Sequence, residues 1–282
     1  MFIELSQGQL SVAAPLLHNM CHHLAVESMF AGLTPARMFV DDESHPSVVF
    51  AKAGHSTYIA GAFDNMGYNL ALKDFIRGEV NVSMMEKEPR WISVFYEPQE
   101  WKAILTDVVL SDYQVWDSPR QYYERESAVT QHAALAALPT GISLQHVDAS
   151  LMSRNDLINL DQLRIEMCSE RFSVVDFLDK SFGVCLVSGN ELIGWCLSEY
   201  NCVGRCEIGI ETNSAYQRRG FGVYMTQALV NLSAQSGIGT VGWHCRASNT
   251  PSSATALRAG FRHVCDYPAL WVALQDKGTG TK

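Results

Sequence analysis

The sequence predicts an α/β protein in two parts, the second more sharply patterned than the first. Three observations carry that expectation. An alternating run, Ile142-Ser143-Leu144-Gln145-His146-Val147, restarts the chain after a proline and a glycine. Two apolar runs joined through Gly189-Asn190 have the form of a hairpin. The stretch Ala215-Tyr216-Gln217-Arg218-Arg219-Gly220-Phe221-Gly222 passes from a strand pattern to a helical one through two glycines. Alternation marks strands because successive side chains point to opposite faces; apolar residues three and four apart mark a helix with one buried face.

Along the chain, Pro15 to Ser28 suits a helix with proline in its first turn, where its missing N–H is not needed. Ser47 to Ala51, Ser56 to Ala60 and Trp91 to Phe95 read as short strands. The segment from Ala134 to Ser143 ends an alanine-rich stretch at Pro139 and Gly141 and is read as a boundary, giving domains 1–138 and 142–274. After the strand at 142–147 come polar helical segments to about residue 180, then the hairpin. In the next strand Ile208 and Ile210 share one face, and Glu207, Gly209 and Glu211 the other. Beyond Gly222, residues Tyr224, Met225, Ala228, Leu229 and Leu232 recur at helical spacing, ending near Gly237. "TVGWHC" is a further strand, "SSATALRAGF" a short helix closed by Gly260, and "LWVAL" a last strand.

The balance of charge narrows the partners. A net charge of −9 on 282 residues argues against nucleic acid, which needs a basic surface, and favours cationic small molecules. The start of the chain has no basic segment followed by a long apolar stretch, so a cytoplasmic protein without membrane contact is expected. The eight cysteines form no C-x-x-C pair and are read as reduced thiols in apolar surroundings. Cys21-His22-His23 is not read as a metal site, because neighbours on a helix diverge and no second ligand pair follows at suitable spacing.

Glycines ahead of a helix let main-chain N–H groups converge, and a helix start leaves such groups without partners. Residues 217–223 therefore form an anion cradle. A nucleotide-triphosphate loop would need Lys and Ser or Thr after its last glycine; Val223-Tyr224 stand there instead. A dinucleotide fingerprint would need a third glycine and a later acidic residue. A diphosphate held by backbone amides remains.

These residues carry a resemblance. Strand, then Gln217-Arg218-Arg219-Gly220-Phe221-Gly222, then an amphipathic helix resembles the Q/R-x-x-G-x-G/A pyrophosphate motif of the GNAT acyltransferase superfamily. "TVGWHCRASNTPSSATALRAGF", with Asn249 eleven residues before Gly260, is similar to the strand, Asn and short helix that follow in that family. The match runs over residues 142 to 273, and the whole is similar to the two-part bacterial branch that includes zwittermicin A resistance acetyltransferases. The resemblance implies a mixed, mostly antiparallel sheet in the second part, preceded by a smaller α/β, degenerate GNAT-like domain. It implies transfer of an acetyl group from acetyl-CoA to a primary amine by direct attack. The amides of Arg218 to Val223, with Gln217, would then hold the diphosphate. The thioester would lie beside Ile208, Gly209, Ile210 and Thr212, and Asn249 and Ser252 would meet the pantetheine arm.

Glu207 is the first choice of base for the incoming ammonium and Glu211, about 13 Å along the same face, the second. The family's tyrosine acid is missing, since Ala256 stands four residues before Gly260; Tyr267 or a water would replace it, or the thiolate would leave unassisted. His244 is read as structural. Two other readings stay open: a CoA-binding sensor or scaffold without catalysis, and a self-associating module. The acceptor amine and the oligomeric state are not legible.

Overall fold

The computed structural model describes residues 1–86, 91–127, 135 and 137–276. The chain divides into two compact units, residues 1–120 with 267–282, and residues 121–266. The boundary expected near 139–142 falls inside the second unit, with residues 134 and 136 outside the described residues.

The strands are β1 (Ile3–Glu4), β2 (Arg37–Val40), β3 (Val48–Ala53), β4 (Ser56–Gly61), β5 (Trp91–Glu97), β6 (Tyr113–Asp117), β7 (Arg120–Glu126), β8 (Ile142–His146), β9 (Gly183–Ser188), β10 (Glu191–Cys202), β11 (Arg205–Thr212), β12 (Thr240–Arg246), β13 (Arg262–Tyr267) and β14 (Ala269–Asp276). They form two seven-stranded sheets, ordered β1-β2-β3-β4-β5-β14-β6 and β8-β9-β10-β11-β12-β7-β13. The two orders are the same. In each, five successive strands are followed by one from elsewhere in the chain, β14 in the first sheet and β7 in the second.

Alternation explains how β14 is held. Leu270, Val272 and Leu274 enter the first core beside Phe39, Phe50, Tyr68 and Trp101. Trp271, on the opposite face, stacks on Trp91 with ring centroids 4.1 Å apart. The final strand expected from "LWVAL" therefore forms, but in the first unit's sheet and not in the domain expected at 142–274. A strand's own pattern says which face is buried, not which sheet it joins.

In the first unit the helices are α1 (Ala14–Leu17), α2 (Leu24–Phe30), α3 (Met66–Glu86) and α4 (Trp101–Ile104). The single helix expected over 15–28 is broken between α1 and α2. Across the break His22 and His23 turn their rings onto Tyr267 at 4.7 and 4.8 Å, and His23 also meets Phe95 at 4.6 Å. The crossover β4–α3–β5 joins two parallel strands paired from Ser56↔Ser93 to Ala60↔Glu97, nearly the full length of β4.

The second unit contains α5 (Ala149–Met152), α6 (Leu160–Met167), α7 (Val174–Lys180), α8 (Phe221–Gln235) and α9 (Thr250–Arg258). Strands β8 to β11 follow one another antiparallel, β9 and β10 through the expected hairpin, where Gly189 adopts φ 60°. One face of the sheet packs Ile208, Val241 and Trp243 against Phe221, Met225 and Leu229 of α8. The other packs Trp195 and Leu197 against Leu163 and Met167 of α6 and Phe177 of α7. Each such side chain contributes roughly 1.5–3 kcal/mol on full burial, and together they fix both faces of β11. Among the described residues no helix is long and apolar enough to cross a membrane.

Candidate active site

Strand β11 follows β12 for only three pairs, Arg205↔Thr240, Cys206↔Val241 and Glu207↔Gly242, and then the two part. The rest of β11, Ile208 to Thr212, keeps its antiparallel partner β10 on one edge only. Asn213 N–H donates to Ile193 C=O at 2.9 Å, so alternation along the ladder turns the peptide groups of Thr212, Ile210 and Ile208 to the other, opened edge. The Gln217 amide accordingly caps Thr212 C=O from that side, at 3.0 Å. Peptide donors and acceptors are strong, obligatory hydrogen-bonding groups, and here they line a gap between strands.

At the end of that gap begins α8. Its N-cap is Gly220 at φ 82°, and no side chain caps it. Arg218 is also left-handed, at φ 60°. The first helical bond is Tyr224 N–H to Gly220 C=O, and among the described residues the amides of Arg218, Arg219, Gly220, Phe221, Gly222 and Val223 find no protein acceptor. A Cβ on Gly222 would come into van der Waals contact with Thr255 Cγ2 at 3.4 Å, Ile210 Cδ1 at 3.7 Å and Thr212 Oγ1 at 3.9 Å, so it would fit, and the glycine leaves that volume at the helix start unfilled. Arg219 is drawn aside over the Tyr216 ring, 5.3 Å from its centroid, and Arg218 is exposed. Expected cradle residues 217–223 are thus brought together, with the backbone and not the arginines at the centre. These orphaned amides fit a diphosphate.

Glu207, at the fork, is 6% exposed, and its Oε1 lies 3.1 Å from His244 Nε2. A carboxylate can only accept, so with Glu207 ionised this bond holds a proton on Nε2. His244 in turn stacks on Tyr122, centroids 4.6 Å apart. Tyr122 O–H donates to Glu124 Oε1 at 2.9 Å, and burial pushes its phenol pKa up. Gly242 makes the room: a Cβ there would stand 3.0 Å from the Tyr122 ring and 3.1 Å from Glu207 Cγ. His244, read from sequence as structural, is therefore the partner of the expected base. Tyr122 arrives on β7, outside the expected domain.

The same face carries further carboxylates. Glu170 accepts from Tyr200 O–H, and Tyr200 pairs with Glu207 across β10 and β11. Burial, reinforced by the charges of Glu207 and Glu166, lifts the Glu170 carboxyl to about 7. Glu166 is raised too, by burial and then by Glu211. Glu211 is exposed and lines a cleft of about 440 Å³ with Gln162, Trp195, Ile210, Thr212 and Gln217. The ladder of β10 shifts between Ser198 and Tyr200, leaving Glu199 as an extra residue whose carboxyl lies over Gly209. Gly209, which the resemblance sets beside the thioester, lies under the Glu199 side chain next to this bulge.

Asn249 caps α9 by accepting from Ser252 N–H, and Ser252 Oγ accepts from Trp243 Nε1 at 3.0 Å. Both expected contact residues thus also hold local structure. Ala256 is fully buried in the α8 core, so that helix position turns inward. Tyr267, named with a water as a replacement acid, is 7% exposed and packs in the first unit on His22, His23 and Phe95. Glu170, Glu199 and Tyr200 carried no signal in the sequence, because a bulge and a cross-strand partner are set by register.

Comparison with known proteins agrees with this geometry. The uncharacterized N-acetyltransferase YdfB of Bacillus subtilis (strain 168) is 24% identical over 245 residues, 86% of this chain and 87% of its own. A GCN5-related N-acetyltransferase-like protein from Streptococcus suis 89/1591 superposes with a TM-score of 0.71 at 16% identity, over 94% of this chain and 98% of the other. A tandem GNAT protein from the clavulanic acid biosynthesis pathway gives 0.58 at 10% identity, over 97% and 98%. A profile of the GNAT acetyltransferase family matches residues 14–270, nearly the whole chain. With the parted strands, the open helix start and the repeated sheet order, that match makes this chain a member of the GNAT acetyltransferase family, an N-acetyltransferase built as two GNAT-like units.

Proposed function

We propose that the protein transfers an acetyl group from acetyl-CoA to a primary amine of a small cationic molecule, and that the second unit alone holds the cosubstrate. The observation that carries this is the parting of β11 from β12 after Glu207, leading straight to the unpartnered amides of α8. The amides of Arg218 to Val223 hold the diphosphate. The opened edge of β11, through Ile208, Ile210 and Thr212, receives the amide-bearing arm and the thioester carbonyl, as charge develops on its oxygen. Asn249 and Ser252 border that arm.

Glu207, oriented by His244, takes one proton from the ammonium, the freed amine forms the C–N bond as the C–S bond breaks, and the second N–H proton passes to the departing thiolate. The leaving thiolate needs no acid from the chain, since a thiol of pKa near about 8.5 is a tolerable leaving group. A catalyst is favoured over a bare CoA-binding scaffold because Glu207 and His244 converge at the fork. The row of carboxylates on this face, in a chain of net charge −9, favours a cationic acceptor. The test is calorimetric binding of acetyl-CoA together with thiol release over a panel of amines. Binding without release in any amine would leave the scaffold reading, and no binding would remove the cosubstrate.

A further inference from the structure

We propose that Glu199 is the side chain that holds the acceptor's ammonium at the point of attack, and that Gly209 is a glycine in order to seat it. The proposal rests on the acetyl-transfer reading above. Opposite β11, Ser198 pairs with Ile208 and Tyr200 with Glu207, so Glu199 is the extra residue of a bulge. A single extra residue re-aims its side chain. Here the side chain runs over Gly209: a Cβ built on that glycine would stand 2.8 Å from Glu199 Cδ and 3.4 Å from Cγ, with the carboxylate oxygen closer still. No residue but glycine leaves that seat free.

The seat has a particular address. Gly209 lies two residues past Glu207, on the stretch of β11 that β12 has left. Glu207 and Glu211 share its face, each about 7 Å away along the strand. The bulge thus sets a carboxylate midway between them, beside the edge where the thioester carbonyl is received. Glu207 is engaged with His244 and almost wholly covered. Glu211 is exposed and stands further along the cleft. Glu199 is the half-buried carboxylate at the fork, where an ammonium must be desolvated and aimed before it gives up a proton. It would bind the charged amine, and Glu207 would receive the proton.

The test compares Glu199→Gln, Gly209→Ala and the double variant, using acetyl-CoA with 1,4-diaminobutane, spermidine and 2-phenylethylamine. Gly209→Ala evicts the carboxylate without removing it, and what must move is the far end of a flexible side chain, so the fold survives; a thermal melt checks this. Glu199→Gln should raise KM for the amine by about 10- to 100-fold, the scale of one lost charge-assisted hydrogen bond, while kcat changes less than about threefold. Gly209→Ala should do nearly the same, and the double variant should be no worse than the worse single one. Affinity for acetyl-CoA should be unchanged in all three. An amine KM within twofold of the parent in Glu199→Gln, or effects that multiply in the double variant, overturns the proposal while leaving acetyl transfer intact. A parent enzyme that binds acetyl-CoA but acetylates none of the three amines overturns the acetyl-transfer reading and this proposal with it.

Discussion

Glu170→Gln should make the protein more stable at neutral and alkaline pH and remove a pH dependence that the parent shows. The Glu170 carboxyl is raised from 4.5 to about 7, first by burial and then by the charges of Glu207 and Glu166, against the lowering effect of Tyr200 O–H and Arg171. In the unfolded chain it loses its proton near 4.5; in the folded protein it keeps it to about 7. Between these values the native state binds the extra proton, so unfolding becomes easier as pH rises. The contribution is absent below about 4.5, grows through the window and levels off above about 7. A shift of roughly 2.5 units corresponds to about 3 kcal/mol as an upper figure. Glutamine mimics the protonated acid, since its carbonyl still accepts from Tyr200. Urea unfolding of parent and variant at pH 5, 6, 7 and 8, at fixed ionic strength, reads the difference directly. The variant should gain less than about 1 kcal/mol near pH 4.5 to 5 and up to about 3 kcal/mol at pH 8. A stability difference that stays flat from pH 5 to pH 8 would refute the reasoning, and a variant that loses ground as pH rises would reverse it.

Glu207→Gln should lower turnover by about two orders of magnitude with acetyl-CoA affinity nearly unchanged, and part of the loss should return as pH rises and more amine is already neutral; steady-state kinetics across pH checks both. Full activity in Glu207→Gln with a crippled Glu211→Gln would move the base to the second carboxylate. Gly222→Val should abolish acetyl-CoA binding in calorimetry while the melt stays close to the parent's, because the added atoms cover the amides and the nearest neighbour of a Cβ there is 3.4 Å away. Asn249→Ala removes the cap of α9 and should cost about 1 kcal/mol in thermal unfolding, whether or not acetyl-CoA is present.

Sequence and structure part company where register decides. The cradle was legible because it is local: two glycines, a helix start and the absence of a capping side chain lie within one short stretch. Glu207 was legible because alternation assigns its face, and the hairpin at Gly189 because turn chemistry does. His244 was not, since its meaning depends on the one strand that pairs with β11 and then leaves it. Glu199 was not, since a bulge shifts the face of every residue on one side of it. "LWVAL" reads as a strand, but its pattern does not say that it joins a sheet whose other strands lie far away in the chain, and no strand was read at Tyr122. The helix expected at 15–28 failed because two histidines found aromatic partners remote in sequence.

The repeated sheet order supplies an internal control for the site. Both units contain a fourth strand, a crossover helix and a parallel fifth strand: β4–α3–β5 in one, β11–α8–β12 in the other. In the first unit the two strands stay paired along almost all of β4, so no peptide edge opens between them. Its crossover helix is also satisfied at the start, where the Asn65 side-chain Oδ1 accepts from Tyr68 N–H at 3.1 Å, the bond an N-cap residue makes. In the second unit both features are reversed: β12 leaves β11 after three pairs, and α8 begins on a glycine that cannot cap. A parallel pair zipped to its end and a capped helix offer a diphosphate and a thioester nothing that is not already bonded. The same order of strands can thus carry a site or lack one according to two local choices, how far the parallel pair runs and whether the first helical residue is preceded by a side chain that accepts.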